Sequence, residues 1–203
     1  MMKIIDTENL IPDHSHLVRI IASHPFDTTL VQKIRQITIR RSEVCGIAKE
    51  NIETDEITGC VILGVGQDTC RKVDYDSILY HEFGHVADRI SATFQYSEEQ
   101  NQALNPLESK CVMKLWNVYI DSRLNAVGLY RPSGKTCIGT LNGSIQTFTS
   151  SGEGILVAHM SELEHEGFSF IRAKEIVQCI WLNPTIIWTY PEIITVVKNE
   201  LSR

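Results

Sequence analysis

His81-Glu82-Phe83-Gly84-His85 decides how this chain is read, and each position has a mechanical reason. Four residues turn an α-helix by roughly 400°, so the two histidines stand nearly one above the other. Their imidazoles can grip one cation from the same side. Glu82 sits beside the first histidine and three before the second, where its carboxylate can take a proton from a metal-bound water without itself binding the metal. The flanking residues predict the helix this arrangement requires. Leu79, Phe83, Val86 and Ile90 follow a 4-3-4 spacing, an apolar stripe for the core, while His81, Glu82 and His85 fall on a different face. Asp74, Asp76 and Ser77 supply N-caps just upstream.

Around this stretch the composition is that of a globular protein. The chain has 203 residues, 43% of them apolar and 22% charged, enough for a core without crosslinks. That length favours a single domain over 1–203, with a metal-site core at about 43–130 and a helical C-terminal subdomain at about 153–203. The net charge of −6 argues against a nucleic-acid or anionic-membrane partner. Lys33, Arg35, Arg40 and Arg41 do cluster, but a solvated helix face explains them at least as well. The start, Met-Met-Lys-Ile-Ile-Asp-Thr-Glu, turns acidic before any apolar run develops, and the apolar stretch near Cys179–Trp188 is too short to span a bilayer. The expected location is cytoplasmic. Cys45, Cys60, Cys70, Cys111, Cys137 and Cys179 are scattered with no C-x-x-C pair, so they read as reduced, mostly buried thiols.

Periodicity orders the rest. His16–Ile21 reads as a short helix, and Asp27 as the cap of a second that runs through Leu30, Ile34 and Ile37. Cys45–Ala48 and Thr58–Val65 read as extended, and Val61-Ile62-Leu63-Gly64-Val65 is the best strand. As an edge strand it could pair with an extended peptide; as a core strand it could not. Thr93–Leu104 reads as a polar loop. A long helix follows, with Asn105 as N-cap, Pro106 in the first turn, Glu108 completing a capping box and Gly128 as the stop. Pro132–Gly154 is either a mobile loop or two short strands. Three further helices are expected at about Gly154–Glu164, about Phe170–Leu182 and from Pro191 onward. The class is α+β, mainly helical.

A catalytic cation of this type takes three protein donors and leaves a position for water, so two histidines are not enough. Asn117, Asp121 and Asn125 recur every four residues on the long helix, a polar stripe among Leu, Trp, Val and Tyr that needs partners. With its downstream Asn-x-x-x-Asp pattern, His81–His85 resembles the zincin superfamily of zinc metallopeptidases. Trp116-Asn117 through Asp121 to Leu124-Asn125 is similar to the metallopeptidase domains found beside von Willebrand A-like domains in prokaryotes, and more distantly to the ligand helix of gluzincins. The likeness covers roughly Asp74–Gly128. It implies a zincin-like fold, a small β-sheet packed on a metal-binding helix, with one Zn2+ and a peptide or protein substrate. In the gluzincin register Asn117 replaces the ligand glutamate and Asp121 orients a histidine. In the aspartate-ligand register Asp121 binds zinc, supported by Asn117 and Asn125. A carboxylate is the better zinc donor, which favours Asp121. Residues 88 and 91 are Asp and Ser, so the metzincin signature is missing.

The expected function is hydrolysis of peptide bonds, with Glu82 as general base. Tyr119, Tyr130 and His165 are candidate donors to the developing oxyanion, with Arg123 and His159 beside them. Asp88 and Arg89 can orient ligands from behind or form a surface ion pair. His14 and His16 form an H-x-H that usually means nothing for metal binding. Trp116, Trp181 and Trp188 read as core. Two other functions compete. One is a binding module on the same scaffold with a structural zinc, against which Glu82 speaks, since such a site has no use for a base. The other is a metal-dependent hydrolase of a non-peptide substrate.

Overall fold

Val61, Leu63 and Val65 alternate inward along the strand Cys60–Val65, and the first half of the chain is built around it. The computed structural model describes residues 2–44, 47–48, 51–66, 75–130, 137–141, 144–148 and 152–203, and only the backbone at 43–44, 47–48, 51, 137–141, 144–148 and 152–154. Contacts divide the chain into two units, Met1–Ser91 and Ala92–Arg203. The class is α+β, with eight helices among the described residues and about 56% of the chain helical.

In the first unit β1 (Lys3–Ile5), β2 (Gln36–Arg41), β5 (Asn51–Asp55) and β6 (Cys60–Val65) form a mixed sheet in the order β1-β2-β6-β5. The first three in that order are parallel, and β5 runs antiparallel to β6. Helices α1 (His14–Ala22), α2 (Leu30–Lys33) and α3 (Tyr75–Arg89) accompany the sheet, with a small pair, β3 (Glu43–Val44) and β4 (Ile47–Ala48). Leu17, Ile20 and Ile21 of α1 join Ile37 and Ile39 of β2, the inward residues of β6, and Leu79, Phe83 and Val86 of α3 in one core. The stripe expected on the metal helix is thus buried, with Ile90 packed at its end. At the β5–β6 turn Gly59 has φ +66°, and a Cβ there would lie 2.6 Å from the Lys33 carbonyl oxygen. Only glycine fits that turn.

Three expectations change here. The helix drawn from Asp27 through Ile37 stops at Lys33, because Ile37-Thr38-Ile39 alternates with a period of two and enters the sheet. Its N-cap is Thr29, while Asp27 accepts from the Thr29 N–H and pairs with Lys33. The best strand, β6, is interior, bonded to β2 and β5, so it cannot receive a peptide strand. The basic residues do not share a helix face: Arg40 and Arg41 lie on β2, paired with Glu53 and Glu8. Because α3 begins at Tyr75, Asp76 and Ser77 lie within its first turn, and Asp74 is outside the described residues.

The second unit is helical. Its centre is α5 (Pro106–Ala126), whose Asn105 side chain accepts from Leu107 and Glu108 while Glu108 accepts from the Asn105 N–H, the capping box as expected. Gly128 follows with φ +73°. Against α5 pack α6 (Gly152–His165), α7 (Phe170–Leu182) and α8 (Tyr190–Leu201). Being covered on several sides, α5 buries Leu115, Trp116, Val118, Tyr119 and Ile120 around most of its girth. The segment expected as a loop holds a short helix, α4 (Glu98–Gln102), capped by Ser97. Phe94 stacks on Trp116 at 5.0 Å, and Tyr190 donates its N–H to the Phe94 carbonyl and its hydroxyl to Asn101. Of the two readings of Pro132–Gly154, the strands stand: β7 (Cys137–Leu141) and β8 (Ser144–Phe148) pair antiparallel.

Among the described residues no helix is long and apolar enough to cross a membrane. The described cysteines are free thiols: Cys111 buried, Cys60 half-buried and Cys179 exposed, while Cys45, Cys70 and the Cys137 side chain lie outside the described residues. Burial and the nearby Glu166 carboxylate push the Cys111 thiol up to about 11, so it is an inert packing group.

Candidate metal centre

The α3 helix sets His81 and His85 one turn apart, with Glu82 between them. Their ring centres lie 5.1 Å apart with planes at 74°. Two imidazoles bound to one tetrahedral zinc, with Zn–N near 2.0–2.1 Å, have centres about 5 Å apart. The pair therefore fits such an ion without a change of backbone. His85 is buried at 6% exposure, whereas His81 and Glu82 are half-buried and can be reached. The reason lies in the stripe: Leu79, Phe83 and Val86 go into the core, and His85, flanked by two buried residues, is drawn in with them. Among the described residues no group of three or more His, Cys, Asp and Glu side chains is arranged to hold a metal.

Near this pair, Asp88 is also buried, and Arg89 donates to the Thr54 carbonyl oxygen and lies 3.8 Å from Glu56, both at the end of β5. His14 and His16 do not form a second site: His14 reaches Asp6 at 3.3 Å and His16 reaches Asp76 at 2.7 Å. The second contact ties α1 to the first turn of the metal helix.

In the second unit the polar stripe of α5 is graded. Asp121 is buried at 4% exposure, Asn117 is half-buried, and Asn125, at the helix end, is exposed. Tyr119 is in the core: its ring lies 3.9 Å beneath the Arg123 guanidinium and its hydroxyl accepts the Trp188 N–H at 3.4 Å. Tyr130 is half-buried, edge-on to Trp181. His165 is exposed on the last turn of α6. The buried histidine of that helix is His159, whose Nε2 lies 3.2 Å from Asp121 Oδ2. Sequence reading placed both histidines of α6 in solvent and missed this one. The signal was present: Ile155, His159 and Leu163 recur every four residues on one buried stripe.

None of the protein families, curated proteins or solved structures with which the chain was compared matches it.

Proposed function

We propose that the chain is a zinc-dependent peptidase, with His81 and His85 as two of the zinc donors, Asp121 as the third and Glu82 as the general base. The spacing of the two α3 imidazoles supports this most directly. It suits a single ion, and a reachable carboxylate stands between them where a base is needed. A bound Zn2+ would supply an acidified water and an electrophile for the peptide carbonyl oxygen. The Glu82 carboxylate takes the proton as the water attacks, then delivers it to the leaving amine. His81 and His85 stay neutral as donors. Asp121 brings a negative charge that an amide at Asn117 lacks, so it is the stronger third donor. The proposed substrate is a peptide or protein.

The purified chain is expected to carry about one zinc. His81→Ala or His85→Ala removes it, while Glu82→Gln keeps the metal and loses hydrolysis of an unfolded protein. Asp121→Ala strips zinc more severely than Asn117→Ala. Elemental analysis that finds zinc unaffected by the histidine substitutions refutes the reading.

A further inference from the structure

We infer that His159 is a positioning residue for Asp121, its Nε2–H holding carboxylate oxygen Oδ2 so that the other oxygen is presented to the metal. This rests on the zinc reading above and adds a residue to it. His159 is more than nine-tenths buried, and its side chain and that of Asp121 are 11% and 6% exposed. The two are close enough to pair at 3.2 Å, yet neither ring nitrogen of His159 is aligned in a hydrogen bond. A buried imidazole with no aligned partner is costly, and the only charged group printed beside it is this carboxylate. A turn of the ring about its own axis brings Nε2–H onto Oδ2. Trp181 walls the other side at 6.1 Å between ring centres, so the ring stays against α5.

The chemistry follows from the donor set. A carboxylate ligand has two oxygens and can swing between one-point and two-point binding. A neutral N–H donor fixed on Oδ2 removes that freedom and leaves Oδ1 to coordinate. Loss of such a supporting contact costs 10–100-fold in metal affinity in comparable sites. Both residues belong to the same unit and sit on adjacent packed helices, α5 and α6. The pair is therefore built before any ion arrives.

The test is zinc affinity of the full chain by competition with a chromogenic chelator. His159→Ala and the bulkier His159→Leu are expected to weaken zinc about 10–100-fold, with far-UV circular dichroism unchanged. His159→Gln, which carries an N–H at a similar reach, should recover most of the loss. Unchanged affinity in the folded Ala or Leu variant overturns the inference. So does a Gln variant as weak as Ala, because the ring itself would then be a ligand. If the unaltered chain takes no zinc, the peptidase reading fails, and the pairing is decided separately by nuclear magnetic resonance of the metal-free protein. The His159 Nε2 resonance must then move on Asp121→Asn; a resonance that stays in place overturns the pairing.

Discussion

Asp6 shows how one carboxylate can set the position of a distant site. Its side chain is fully buried, and its two oxygens accept the N–H groups of Leu10 at 3.0 Å and Ile11 at 2.9 Å, with His14 Nε2 at 3.3 Å. Burial pushes this carboxyl up, but the Ile11 and Leu10 N–H groups and His14 outweigh that and hold it below the ordinary aspartate value. The turn it closes leads into α1, whose His16 reaches Asp76 on the metal helix. A depressed folded pKa means that Asp6 contributes stability above the unfolded value, near 3.9, and that this is lost as pH falls through the folded value. Asp6→Asn is thus expected to be less stable than the original by about 1–2 kcal/mol at pH 7. The gap should narrow below about pH 4. Urea unfolding at pH 7 and pH 3 measures both, and an equal gap at the two values would show that Asp6 ionisation does not matter.

At the scale of elements, α7 and α8 are joined by a charged clasp. Arg172 on α7 donates to both carboxylate oxygens of Glu200 on α8, at 2.7–3.2 Å, and also pairs with Glu175. Glu200 is 6% exposed and Arg172 38% exposed, so removing the arginine leaves a nearly buried carboxylate whose printed partner is only Arg203, at 3.4 Å. Arg172→Ala is expected to cost about 1–2 kcal/mol, below the figure for fully buried pairs because the guanidinium is partly in water. Arg172→Lys should recover only part, since an ammonium cannot match the bidentate fork. Thermal unfolding in low and high salt checks both. A full rescue by lysine would reduce the clasp to simple charge.

Elements of this kind were legible in the sequence to different degrees, for physical reasons. The α5 start was clear because Asn105, Pro106 and Glu108 act on neighbours in the chain. The α7 bounds were clear because Ser169 and Asn183 lie just outside an unbroken apolar period. The helix drawn through Ile37 failed because an isoleucine three or four residues after another fits either period, and only partners in β6 select the strand. Asn142-Gly143 is a strong hairpin signal between β7 and β8 that polar composition obscured. In the candidate site, His81, Glu82 and His85 were legible because a helix places them. The His159–Asp121 contact was not, since it joins residues 38 apart through the packing of two helices.

For the molecule as a whole, the zinc reading makes stability depend on metal. Donors pre-set by folded helices bind the ion, whereas the unfolded chain scatters them, so zinc favours the folded state by mass action. At a free concentration 100-fold above the dissociation constant the gain is about 2.7 kcal/mol. For a chain of 203 residues this corresponds to a rise in Tm of roughly 5–10 °C. His85→Ala should abolish the rise, because it removes a donor held in place by the α3 core stripe. Glu82→Gln should keep it in full, because a base that does not touch the metal adds nothing to its affinity. That contrast separates ligand from base without any assay of hydrolysis. Differential scanning calorimetry with and without zinc measures it, and a rise in His85→Ala equal to that of the unaltered chain would place the ion away from this helix.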